Sequence, residues 1–183
     1  MALLRPAAAL LTLGLLAGCN GLSGLSRQPA PTIGLGAENR LDPSLSGNGR
    51  LLASIVERGG RATVLLQERE GGRVLPLRQL QAMTPHRSPS LSWTGRYLAL
   101  LGQRGPRRLP LIADRATGRV HPLPLSGERE PQRLSLAPDG RRLAVQVIEA
   151  GRMRVQLFDL GGLLEPDLPA GQPLQGGGPG GPP

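Results

Sequence analysis

A short phrase written three times predicts an all-β chain of repeated antiparallel sheets. The copies are Ser44-Leu45-Ser46-Gly47-Asn48-Gly49-Arg50-Leu51-Leu52-Ala53, Ser90-Leu91-Ser92-Trp93-Thr94-Gly95-Arg96-Tyr97-Leu98-Ala99 and Ser135-Leu136-Ala137-Pro138-Asp139-Gly140-Arg141-Arg142-Leu143-Ala144. Their glycines, Gly49, Gly95 and Gly140, recur at about 45 residues, a period typical of stacked β-units such as propeller blades. Two further markers keep step: an acidic residue at Glu68, Asp114 and Asp159, and a glycine at Gly72, Gly118 and Gly162.

The elements follow from the runs between these markers. Copy one, within 39–84, has apolar runs Leu51 to Val56 and Ala62 to Leu66. Copy two, within 85–130, has Tyr97 to Leu101 and Leu109 to Ala113. Copy three, within 131–168, has Leu143 to Ile148 and Met153 to Phe158. Each run has strand length and is bounded by Gly, Pro, Asn or Asp. Four strands are predicted per copy, in the third near Gln132–Leu136, Arg141–Ile148, Met153–Phe158 and Leu163–Leu168. Asp139-Gly140 is the hairpin turn between the first two of these. Leu143, Val145 and Val147 alternate with Ala144, Gln146 and Ile148, so this sheet is expected to be buried between two neighbours. The repeated acids are expected to accept hydrogen bonds from turn N–H groups; a metal-binding or catalytic carboxylate is the alternative.

These residues resemble the TolB-type repeat, a bacterial relative of the WD-type propeller blade. That blade centres on S-P-D-G-x-x-L-A and ends a following strand in D-x-x-T-G. Ala137-Pro138-Asp139-Gly140-Arg141-Arg142-Leu143-Ala144 matches the first half with Ala in place of Ser, and Asp114-Arg115-Ala116-Thr117-Gly118 matches the second. The first copy departs furthest, with Gly47-Asn48-Gly49 and Glu68. The resemblance implies three four-stranded antiparallel propeller-type blades over 39–168. Because closed propellers typically have four to eight blades, the expectation is an incomplete propeller or one completed by oligomerisation, with a compact closed triplet as the remaining alternative. A homodimer would reach the six blades of TolB-like proteins. Terminal faces carrying Leu52, Leu65 and Val155 are expected to be uncovered.

The N-terminus carries a second signal. Arg5 precedes an apolar stretch, Ala7 to Leu16, which is too short to span a bilayer but suits a signal peptide. It ends in Leu16-Ala17-Gly18-Cys19, which resembles the lipobox of bacterial lipoproteins. The resemblance implies a signal peptide over 1–18 and lipidation of Cys19. An ordinary cleavable signal is the alternative. The mature chain would sit on the periplasmic side of the cell envelope, anchored to the inner or outer membrane. Residues 19–38, rich in Gly and Pro, read as a flexible linker, and 169–183 as a disordered Gly/Pro tail. Cys19 is the one cysteine, so no intramolecular disulfide is possible.

The formal charge is +9, and all 22 basic residues are arginine. The arginines are dispersed, with the densest spots at Arg104-Gly105-Pro106-Arg107-Arg108 and Arg141-Arg142. Solvated faces explain them, and an anion-binding face is the alternative. Aromatic content of 2% leaves little for base stacking, and export argues further against nucleic acid. His86 and His121, each beside a proline, form no zinc-ligand spacing. A Walker A loop is impossible without lysine, and no G-x-S-x-G elbow occurs. No cofactor, metal or catalytic residue is therefore expected. Trp93 and Tyr97 flank the second turn and are read either as blade-to-blade packing or as an exposed interaction surface. The resemblance implies a non-enzymatic envelope protein presenting a surface to an envelope partner. A binding module for a glycan or peptide ligand, or a degenerate structural paralogue, are the alternatives.

Overall fold

The computed structural model describes residues 38–169 and residue 171. The predicted signal peptide, Cys19 and nearly all of the linker and tail lie outside the described residues.

The repeated phrases organise three antiparallel sheets. The first contains β1 (Leu41–Leu45), β2 (Leu51–Arg58), β3 (Arg61–Glu68) and β4 (Val74–Leu75), paired in chain order. A 3₁₀ turn, Arg78–Met83, follows and buries Leu80. The second sheet is β5 (Arg87–Leu91), β6 (Tyr97–Arg104), β7 (Arg107–Asp114) and β8 (Val120–Pro122). The third is β9 (Glu130–Leu136), β10 (Arg142–Glu149) and β11 (Arg152–Asp159). This is the propeller-blade meander, and every predicted apolar run forms a strand.

The third blade has three strands rather than the expected four. Leu163–Leu168 is not a strand: Leu163 and Leu164 both donate back to the Leu160 carbonyl, closing a turn. Pro166, which has no N–H to give a ladder, lies within the same segment.

Successive blades stack through two apolar clusters. Leu51, Ala53, Ile55, Val64 and Leu66 meet Leu91, Leu98, Leu100 and Leu111 at the first junction. Tyr97, Ala99 and Ile112 meet Leu136, Leu143, Val145 and Val147 at the second. Strand alternation gives each inner blade two apolar faces, so β6 is buried from Tyr97 to Gly102. The third blade departs from this. Its Leu143, Val145 and Val147 are buried, but Ala144, Gln146 and Ile148 are only half-buried, because one neighbour is present rather than two. Of the terminal residues expected to be bare, Val155 is 67% exposed but Leu65 only 3%, and Leu52 is half-buried. On the first blade's outer side Arg40 donates to Ser54 Oγ (3.2 Å) and Gln67 Oε1 (2.9 Å).

Candidate interaction face of the third blade

The repeated phrase builds the junctions. Ser44 Oγ accepts from the Leu91 N–H (3.1 Å), and Ser90 Oγ accepts from the Leu136 N–H (2.9 Å). The opening serine of each phrase thus bonds the innermost strand of the next blade. The turns are joined as well. Asn48 N–H donates to the Trp93 carbonyl (2.9 Å), and Trp93 N–H donates to the Pro138 carbonyl (2.6 Å). The third copy has no next blade, and its serine, Ser135, is exposed.

Position by position, the phrase differs between the two blades that another follows and the third, after which none follows among the described residues. The residue after Gly-Arg is Leu51 in the first copy, packed over Gly95, and Tyr97 in the second, packed over Gly140. In the third it is Arg142, which is exposed. An apolar side chain stands where a blade follows, and a guanidinium where none does.

Tyr97 is 1% exposed and belongs to the second junction, so it offers no interaction surface. Arg96 lies over its ring, 5.0 Å from the centroid. Trp93 is half-buried and packs against Gly47 of the first blade. Both aromatics serve blade-to-blade packing. Gly49, Gly95 and Gly140 all hold positive φ, as tight turns require, and Asp139 Oδ1 accepts from the Arg141 N–H (3.0 Å).

The repeated acids divide. Asp114 Oδ1 accepts from the Ala116 N–H and Asp159 Oδ1 from the Gly161 N–H, each at 2.9 Å, as turn chemistry requires. Glu68, longer by a methylene, instead forms a two-armed ion pair with Arg73. Burial alone would push the Asp114 carboxyl up. The Arg96 guanidinium, the Ala116 N–H and the Thr117 hydroxyl outweigh it and hold the group below its usual range. His86 is buried with both ring nitrogens engaged by backbone. Nδ1 accepts from the Val64 N–H and Nε2 donates to the Leu80 carbonyl, each at 3.1 Å. Its environment therefore fixes the neutral ring and pushes its pKa down through burial.

One buried carboxylate had no sequence signal. Asp167 accepts from the Ser92 hydroxyl, the Thr94 N–H (2.9 Å) and the Thr94 hydroxyl (2.7 Å), and its own N–H donates to the Asp139 carbonyl (2.9 Å). Glu165 pairs with Arg96 at 2.7 Å, while Leu160 and Leu164 enter the second core cluster. The segment that was expected to be a fourth strand is instead a latch across the turns of blades two and three.

Without that fourth strand, β11 is the outer edge of its sheet. Met153, Val155 and Leu157 alternate onto one face and are 61%, 67% and 75% exposed. The ladder sets them beside Ile148, Gln146 and Ala144 of β10, and across these beside Glu130, Arg133 and Ser135 of β9. Arg133 and Arg142 are exposed on the same side, and neither has a carboxylate partner among the described residues. The result is an apolar stripe edged by two guanidiniums that make no ion pair among the described residues, with Glu130 and Asp159 on the same face. A surface of this kind suits an apolar partner with carboxylates at its margin.

These features define the chain as a propeller-type fold of three blades. The chain is similar to TolB from Acinetobacter baumannii (TM-score 0.57, 18% identity, 68% of this chain and 30% of that one). It is similar to a structure assigned as TolB from Agrobacterium tumefaciens (0.57, 21%, 67% and 43%). It is also similar to the β-propeller domain of the Trilobed protease from Pyrococcus furiosus (0.53, 16%, 72% and 41%). The chain spans less than half the length of each. No protein-family model and no curated protein matches it. The fold is thus TolB-like, and at these identities the likeness speaks for the fold alone.

Proposed function

We propose that this chain is a non-enzymatic, lipid-anchored protein of the bacterial cell envelope. It presents the outer face of its third blade to another envelope protein. The observation that carries the reading is the Met153-Val155-Leu157 stripe, an apolar sheet face bare at one end of an otherwise buried stack. The TolB-like fold and the Leu-Ala-Gly-Cys sequence before the linker support the envelope setting.

A second copy is the competing occupant, and charge weighs against it: two such faces would bring two sets of the exposed Arg133 and Arg142 together. A ring of two copies would further need the first blade's outer face, where Val56 and Leu65 are already buried.

Metabolic labelling with a fatty-acid analogue, followed by membrane fractionation, tests the anchor. The wild type takes up label and sediments with membranes, while Cys19→Ser does neither. An unlabelled wild type would remove lipidation from the reading.

A further inference from the structure

A second feature lies at the border of the bare face, where the β6–β7 hairpin approaches the β8–β9 connection. A cleft of about 610 Å³ opens there, within the size range of small-ligand sites. Its polar wall is Arg104, Arg107, Arg108 and Arg129, with Glu128 and Glu130. Its apolar wall includes Pro106, Pro122, Pro124 and Leu125.

The charges in the cleft are unevenly matched. Arg129 is engaged: Nε donates to Glu149 (2.8 Å) and Nη1 to Gln156 (3.3 Å). Arg104 and Arg107 are exposed and have no carboxylate within ion-pair distance among the described residues. Arg108 is the informative member. Its nearest carboxylate oxygen, on Glu130, lies at 3.8 Å, beyond hydrogen-bond length. Its Nε is withdrawn from water with no hydrogen-bond partner. The covered Nε is out of reach of the cleft, but the side chain is still 23% exposed, so its terminal nitrogens are the ones that can meet an oxyanion there.

We propose that this cleft binds a small organic anion. A phosphate or carboxylate is held by Arg108 with Arg104 and Arg107, and the apolar body lies on the proline wall. This site borders the third-blade face at Glu130, but its three arginines lie outside that face, so the proposal stands whether or not the face has a partner.

The test is isothermal titration of the purified full-length chain with phenyl phosphate, benzoate, inorganic phosphate and benzyl alcohol, all at one ionic strength. The expected result is one-to-one binding of phenyl phosphate or benzoate, with the tighter of the two naming the oxyanion. Inorganic phosphate binds more weakly than phenyl phosphate, and benzyl alcohol does not bind. Arg108→Gln weakens binding at least tenfold. The exposed pair Arg104→Gln and Arg107→Gln, together, does the same without changing the melting temperature. Arg152→Gln, on the third blade, leaves binding unchanged. No anion binding at millimolar concentration overturns the proposal. So does binding that survives the Arg104 and Arg107 changes, or that Arg152→Gln weakens equally.

Discussion

Gly140 illustrates how one position serves both its own turn and the junction with the preceding blade. Its φ is +75°, and a Cβ built there would sit 2.8 Å from the Tyr97 ring. Gly49 has the same backbone at φ +68° but open space around it, because no blade precedes the first. Left-handed backbone costs a non-glycine residue about 1–2 kcal/mol. Gly49→Ala should therefore lose about 1 kcal/mol and Gly140→Ala about 2–4 kcal/mol, the excess being displacement of the ring. Urea denaturation midpoints separate the two, and equal losses would mean that the turn does not pack on Tyr97. His86 gives a pH signature. The unfolded chain binds a proton on this ring below about pH 6.5, whereas burial pushes the folded ring lower. Its contribution is thus intact above about pH 6.5 and is lost as pH falls through that value toward the folded pKa. His86→Gln should be less stable at neutral pH and lose this acid-side slope. A variant with the wild-type slope would place its origin elsewhere.

At the level of elements, the latch after β11 holds the second and third turns together. Asp167→Ala would strand the Ser92 and Thr94 donors in a buried setting, a loss of about 2–4 kcal/mol. Thermal unfolding should show it, with Asp167→Asn losing less because it keeps an acceptor. If both variants melt like the wild type, the latch contributes nothing. This element also marks the limit of sequence reading. The six long strands were legible because alternation and Gly-bounded turns are local properties, and the S-L-x-x-x-G-R-x-L-A frame gave their spacing. Leu163–Leu168 reads as a fourth strand, and only non-local contacts, to Ser92, Thr94, Arg96 and Asp139, make it a latch. The arginine cleft shows the same limit. Arg104 to Arg108 stood out as a charge cluster, but the connection that closes the cleft against it, with Glu128 to Glu130, comes from a distant part of the chain. Tyr97 reads first as packing, with an exposed surface as the alternative, and the neighbouring blade decides that it is buried.

The described residues form a stack with unequal ends. The first blade's outer side buries Val56 and Leu65, while the third leaves Met153, Val155 and Leu157 in water. The third blade carries arginine at the position where the first two blades carry Leu51 and Tyr97, so its middle strand is adapted to solvent but its edge strand is not. Without its first 19 residues the chain loses Arg5 and carries a formal charge of +8, which opposes self-association, and sedimentation should give a monomer at micromolar concentration. A stable dimer there would favour two copies meeting through their third blades. The account's central claim is that the bare face receives a different protein. A photoreactive side chain placed at Leu157 in the native envelope tests it most directly, with Arg119, an exposed turn residue of the second blade, as the control position. The account predicts a discrete crosslink from position 157 to another polypeptide, identified by mass spectrometry, absent from position 119 and abolished by Val155→Glu. Crosslinks from 157 only to a second copy of this chain, or equal yields from both positions, would contradict it.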